Sequence, residues 1–269
     1  MATAVTSGRQ RRPERPPIRT RMSNAWRRTD LRTAMIFLIP ATIGFVVFYL
    51  VPAIRGVYFS FTDYPVLAPP TWVGLDNYER LINDPLFWNA MGVTLYYVAI
   101  NIIVQTILAI GVAVLMQRLT RSILVRGAIL LPYFIANVIV ALVWFFMLDV
   151  QLGIVNVLLE RFGMDAQAFF GDPMLALPTI AFINVWRHLG YTALLLFAGM
   201  QMISPQLYEA AALDGAGPWR QFRSITLPLL RPVLALVLVV TVTGSFQIFD
   251  TVAVTTGGGP INATRVIYL

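Results

Sequence analysis

The sequence predicts an all-α protein, built as a polytopic bundle of transmembrane helices. Two features of composition point there. The chain of 269 residues is 58% hydrophobic and only 12% charged, and its mean hydropathy is +0.71, too apolar for a domain that must cover its surface in water. The third is order along the chain: apolar runs of the length needed to cross about 30 Å of hydrocarbon alternate with polar segments.

Composition also removes whole chemistries. All 20 basic residues are arginine, so neither a Walker A phosphate loop nor a Schiff base has its lysine. The absence of cysteine removes disulfides, thiol nucleophiles and thiolate metal sites, and one histidine is too few for a histidine-rich metal site. No catalytic residue and no metal ligand set is expected.

Residues 1–32 hold nine arginines, several prolines and few aliphatics, which predicts a basic, disordered cytoplasmic tail. Its charged stretch is too long for a signal peptide, and the apolar run after it lacks an A-x-A-like exit. Such a tail reads as a contact for nucleic acid or anionic lipid, or as an orientation anchor. Topology alone accounts for its charge, so membrane lipid rather than nucleic acid is the expected partner.

Five spans follow, at about 33–54 (with Pro40 and Pro52), 89–116, 127–148, 176–203 and 232–249. Prolines are tolerated in membrane helices better than in soluble ones. Arginines crowd the segments 1–32, 117–126 (Arg118, Arg121, Arg126) and 204–231 (Arg220, Arg223, Arg231), whereas the opposite segments carry Arg55, Arg80, Arg161 and Arg265 among nine acids, Asp250 included. The positive-inside rule puts the N-terminus in the cytoplasm. In the outer segment 56–88 a short helix is predicted from Asp76, with Tyr78, Leu81 and Ile82 on one face; it serves either as a docking surface for an outside partner or as an interfacial helix packed on the bundle.

The segment 204–232 is the most informative. Ser204 and Pro205 form an N-cap and a first-turn proline. The helix they open runs through Glu209, Ala210, Ala211 and Ala212 and ends at Asp214-Gly215, where glycine takes the left-handed conformation. Pro218 opens a second short helix, Trp219 to Ser224, and Pro228 is expected to break the chain before the fifth span. Two short helices at an angle suit a groove on another protein or serve as a connector.

The residues Glu209-Ala210-Ala211, Asp214-Gly215-Ala216 and Ile225-x-Leu227-Pro228 resemble the EAA motif of ABC importer permeases. Further stretches are similar to the sugar branch of that family: Val73-Gly74-Leu75-Asp76-Asn77-Tyr78, Leu196-Phe197-Ala198-Gly199-Met200-Gln201, Phe249-Asp250 and Thr256-Gly257-Gly258-Gly259-Pro260. The resemblance covers residues 33–269, the transmembrane domain with its coupling loop 204–232. It implies a permease subunit of a binding-protein-dependent importer in the bacterial plasma (inner) membrane, with a second homologous permease chain, a cytoplasmic ATPase dimer and an extracytoplasmic solute-binding protein. It further implies a sugar or polyol substrate, no cofactor on this chain, and ATP and Mg on the partner ATPases. The family core has six spans, and the chain stops at Arg265–Leu269 where a further helix begins; the domain is therefore expected to be C-terminally incomplete, possessing five of six spans, and a truncated, non-transporting product is the alternative.

Polar groups inside spans are costly and face a bundle interior or a cavity. The candidates are Asn101 and Gln105, which share a helix face, Asn137, Asn184, Arg187 with His188, and Gln247 beyond Thr241, Thr243 and Ser245. Counted along straight helices, Arg187 and Gln247 each lie about 24 Å from the inner ends of their spans, so one outer cavity is expected to hold both. With Trp186, Tyr191 and Phe246 nearby, these groups suit hydroxyls and sugar rings; equally, Trp186-Arg187-His188 reads as an interfacial anchor and the amides as interhelical hydrogen bonds. A glycerol-phosphate importer, for which Arg187 is a natural partner, is the alternative substrate class. A stand-alone secondary carrier is disfavoured because no acid sits centrally in a span.

Overall fold

The computed structural model describes residues 30–65, 67–119 and 122–269. The expected tail as far as residue 29, and Arg121, lie outside the described residues. Among the described residues four helices are long and apolar enough to cross a membrane, or five if a bent pair counts as one span.

The described residues from Asp30 to Leu81 form one compact unit. Its helix runs through α1 (Asp30–Phe45), a π turn (Val46–Leu50) and α2 (Val51–Ser60), and its apolar stretch, Ala34–Ser60, is longer than the expected 33–54. Gly74, at φ +63, turns the chain into α3 (Asp76–Asn83). Before it a two-stranded ladder, β1 (Thr62–Asp63) and β2 (Thr71–Trp72), pairs Thr62 with Trp72. Asn77 then locks the unit: its Nδ2 donates to the carbonyls of Ser60 and Thr62 at 3.0 and 2.9 Å. Tyr78 meets Ser60 Oγ at 2.7 Å, and Phe61 packs its ring on Trp72 and Tyr78. The short helix is thus tied to the end of its own spanning helix.

The second unit, Ile82–Leu269, is built on α4 (Pro85–Leu119), α5 (Ile123–Phe134), α6 (Asn137–Met147), α7 (Ile154–Arg161) and α8 (Ala176–Gln201). Then come α9 (Pro205–Leu213), α10 (Pro218–Gln221), a π turn (Phe222–Thr226), α11 (Leu227–Leu229), α12 (Arg231–Phe246) and α13 (Asp250–Thr255). Asp84 caps α4, its Oδ1 accepting from Leu86 N–H at 2.8 Å. The buried positions fall at four-residue spacing: Tyr97, Asn101, Gln105, Ala109 and Ala113 on α4; Ile180, Asn184, Thr192, Leu196 and Met200 on α8, where the intervening His188 is half-buried; Val237, Thr241 and Ser245 on α12. Ridges at this spacing interdigitate, and small residues let the backbones close up. At Gly190 a Cβ would strike the Ile129 backbone of α5, and at Gly199 it would come within 2.8 Å of Val233 on α12.

Two expectations are corrected. The span 127–148 is not one helix: α5 and α6 meet at 92°, with Ile135 and Ala136 extended (ψ 137 and 141) just after Pro132. Pro132 removes a donor and its ring crowds the carbonyl four residues back. Pro228, by contrast, does not break the chain. It lies inside α11, and helix resumes at Arg231 after one irregular residue, Leu230.

Candidate functional site

A cavity of about 240 Å³ opens between α4, α8 and α12, with Tyr133 at its edge. Its polar wall is one network across three helices. Gln105 Nε2 donates to Thr192 Oγ1 at 2.7 Å, and Asn101 Nδ2 donates to Ser245 Oγ at 2.7 Å and to Gln105 Oε1 at 3.3 Å. Asn101 is 5% exposed, and its Oδ1 has no partner. A buried amide oxygen left unbonded is costly, and the residue that carries it lines the cavity. The network is a belt between dry layers. On one side lie Ala109, Ala113, Leu196, Met200 and Val237; on the other, Tyr97, Ile180, Ile248 and Val252.

Tyr133 and Tyr191 stack with centroids 4.5 Å apart and planes 8° from parallel, which gives the cavity an aromatic edge. Asn184 donates to Thr251 Oγ1 at 3.3 Å and back to Ile180 O at 3.1 Å. Arg187 turns toward the broken helix, donating from Nε to Ile135 O at 3.0 Å and from NH2 to Tyr133 O at 3.1 Å.

The 204–232 loop is a second ordered feature. α9 starts on Pro205 as expected, but Ser204 makes no side-chain cap bond; its hydroxyl reaches only Gln206 Oε1, at 3.4 Å. The other end closes in a Schellman motif. Gly215 sits at φ +75, its N–H donates to Ala212 O at 3.0 Å, and Ala216 N–H donates to Ala211 O at 2.8 Å. Gln221 Nε2 holds Ala216 O at 2.9 Å and Tyr208 OH meets Thr226 Oγ1 at 2.9 Å, so the short helices form one folded piece. Leu213 and Trp219 stand 90% and 72% exposed on it, apolar surface on a structured protrusion. Glu209, Ala210, Asp214 and Gly215 are exposed as well, while Ala211, Ala216, Ile225, Leu227 and Pro228 are half-buried.

Residues 105–267, more than half of the chain, match the family described as binding-protein-dependent transport system inner membrane component. The chain belongs to that family. The permease is 36% identical over 241 residues to the probable ABC transporter permease protein YurN of Bacillus subtilis, covering 86% of this chain and 81% of the relative. It is 32% identical over 242 residues to the trehalose/maltose transport system permease protein MalF of Thermococcus litoralis, covering 89% and 82%. Among solved structures, a bacterial ABC transporter that imports the acidic polysaccharide alginate superposes with a TM-score of 0.77 at 27% identity, over 91% of this chain and 83% of that one. The permease is thus a multi-pass membrane subunit of an ABC importer.

The permease brings Asn101, Gln105, Asn184 and Arg187 to one cavity and leaves two expected residues out. Asn137 lies at the start of α6, where its Nδ2 donates to Asp250 Oδ2 at 3.2 Å. Gln247 is exposed and terminates α12; it lies two residues beyond Ser245, off the Val237, Thr241 and Ser245 stripe that faces the cavity. Trp186 packs edge-on against Trp144, as a helix contact. Tyr97, Tyr133 and Thr192 were missed. Tyr97 and Thr192 carry a signal, since each falls on the four-residue stripe of Asn101 or Asn184. Tyr133 reaches the cavity only through the break.

Proposed function

We propose that the permease carries a carbohydrate through the α4–α8–α12 cavity. A second homologous permease chain supplies the other wall, and an extracytoplasmic solute-binding protein delivers the substrate in the bacterial plasma (inner) membrane. The loop 204–232 faces the cytoplasm and docks on a pair of ATPase subunits, which hold the ATP and Mg and drive a switch between two facing states. The observation that carries the reading is the amide and hydroxyl belt with Asn101 Oδ1 unpartnered, beside a stacked tyrosine pair. Such groups exchange hydrogen bonds with sugar hydroxyls and offer a flat face to a ring. Relatives named for trehalose and maltose, sulfoquinovosyl glycerol and starch degradation products support a carbohydrate.

Uptake of radiolabelled trehalose and maltose oligosaccharides into liposomes holding the whole importer tests this. Asn101→Leu is expected to cut uptake by about tenfold or more, because a site built to bond hydroxyls loses most when a partner is removed. Unchanged uptake would remove Asn101 from the pathway. A second reading, a polyol phosphate held by Arg187, rests on that guanidinium lining the cavity; it predicts that glycerol phosphate, and not the sugars, stimulates ATP hydrolysis.

A further inference from the structure

We infer that Arg187 is a positioning residue: it holds the break between α5 and α6 and so fixes Tyr133 at the cavity, and it is not the receptor for an anionic group on the substrate. The inference rests on the carbohydrate reading for what the cavity does, but its geometry stands independently.

A helix interrupted within a membrane exposes carbonyls that neither lipid nor the next turn can satisfy. Here Ile135 N–H falls back on Pro132 O at 3.3 Å, and the carbonyls of Tyr133 and Ile135 lose their helical partners. Arg187, on the unbroken α8, answers both. Its Nε donates to Ile135 O at 3.0 Å and its NH2 to Tyr133 O at 3.1 Å, a planar fork matched to two acceptors. Its third nitrogen, NH1, lies 3.0 Å from His188 Nε2. A guanidinium has donors only, so His188 Nε2 accepts. The ring then carries its proton on Nδ1, donating to Asn184 O at 2.9 Å. Three of the five N–H donors of Arg187, one on each nitrogen, are therefore engaged within the chain.

The same contacts order Tyr133. Its ring lies 5.5 Å from Arg187 Cζ and stacks on Tyr191, so the fork grips the backbone of the residue whose ring edges the cavity. From the other side of the break, Asp250 of α13 accepts from Asn137 at the start of α6. The two ends of the interruption are thus held by two different elements, and releasing the α5 end frees the aromatic edge.

The permease has no cysteine, so a spin-label pair at Leu131→Cys and Phe146→Cys reads the bend directly; both positions are well exposed, at 62% and 69%. The distance distribution is measured on the full chain in lipid nanodiscs, without substrate. Arg187→Met is expected to shift the distribution and broaden it about twofold, with Arg187→Lys between Met and wild type because an ammonium cannot span both carbonyls. If Arg187→Met inserts poorly, the partial broadening of Arg187→Lys carries the test alone. A distribution unchanged in both variants overturns the inference. In the reconstituted importer, loss of a positioning residue lowers uptake of maltotriose and of a uronate-bearing trisaccharide by similar factors. Selective loss of the acidic sugar alone, by about tenfold or more, instead makes Arg187 an anion receptor. A wild-type importer that moves neither sugar counts against the carbohydrate reading and leaves the spin-label result standing.

Discussion

Pro132 and Pro228 sit in comparable apolar surroundings, yet the chain breaks after one and runs through the other. Ahead of Pro228 lies a π turn, Phe222–Thr226, in which Leu227 N–H donates to Phe222 O. The wider turn has already shifted the carbonyl ladder before the proline ring enters it. Pro52 repeats the arrangement, following the π turn Val46–Leu50 and Val51. Pro132 has no such turn before it. Its helix opens two residues later, and the freed carbonyls go to Arg187. The lesson is that a proline does not decide its own outcome; what is available to receive the displaced backbone groups decides it.

The largest test of that contrast removes the close approach that lets α8 reach the break. Gly190→Val drives a side chain into the Ile129 backbone, and the expected loss is about 3 kcal/mol of stability, the upper end for overpacking, seen as a lower melting temperature in detergent. Gly111→Ala is the control; it meets nothing within 4 Å and should alter stability by less than about 1 kcal/mol. Next in size is Gly215→Ala, which forces an L side chain into φ +75 at about 1–2 kcal/mol, with weaker co-purification of ATPase subunits as readout. Gly215→Asp should abolish that co-purification while insertion persists.

Smaller effects sharpen the proline comparison itself. Pro132→Ala alone should leave the spin-label distance across α5 and α6 in place, because Arg187 still holds the extended residues; straightening is expected only when Arg187→Met is added. Pro228→Ala should move stability by less than about 0.5 kcal/mol, since no partner changes. Least of all is Asp149, whose carboxyl is held below the usual range by accepting first from Leu152 N–H and then from Gln151 N–H after α6. A depressed carboxyl contributes stability above its unfolded-state value and loses it as pH falls through the folded one. Asp149→Asn should therefore flatten slightly the acid side of a stability–pH profile.

Much of this was legible in the residues. The apolar runs located the spanning helices, Pro205 and Gly215 bounded α9, and the four-residue spacing of Asn101 and Gln105 placed both on the buried face of α4. The break was not, because Pro40 sits inside a continuous helix, so a proline in an apolar run does not by itself mark a break. The hairpin at Thr62 and Trp72 was hidden because strands of two residues carry no periodicity. Gln247 was misplaced because depth counted along a helix says nothing of which face a residue takes, and the cavity face of α12 is the Val237, Thr241 and Ser245 stripe.

The dry layer between the polar belt and the 204–232 loop bears on more than packing. Ala109, Ala113, Leu196, Met200, Leu230 and Val237 interlock with no more than 1% of any of them accessible. A hydrated proton or sodium ion that reached the belt would have to shed its water to go further, and no charged side chain among these six repays that loss. Within this chain the packed layer is thus a barrier to hydrated ions, set between the polar belt and the 204–232 loop.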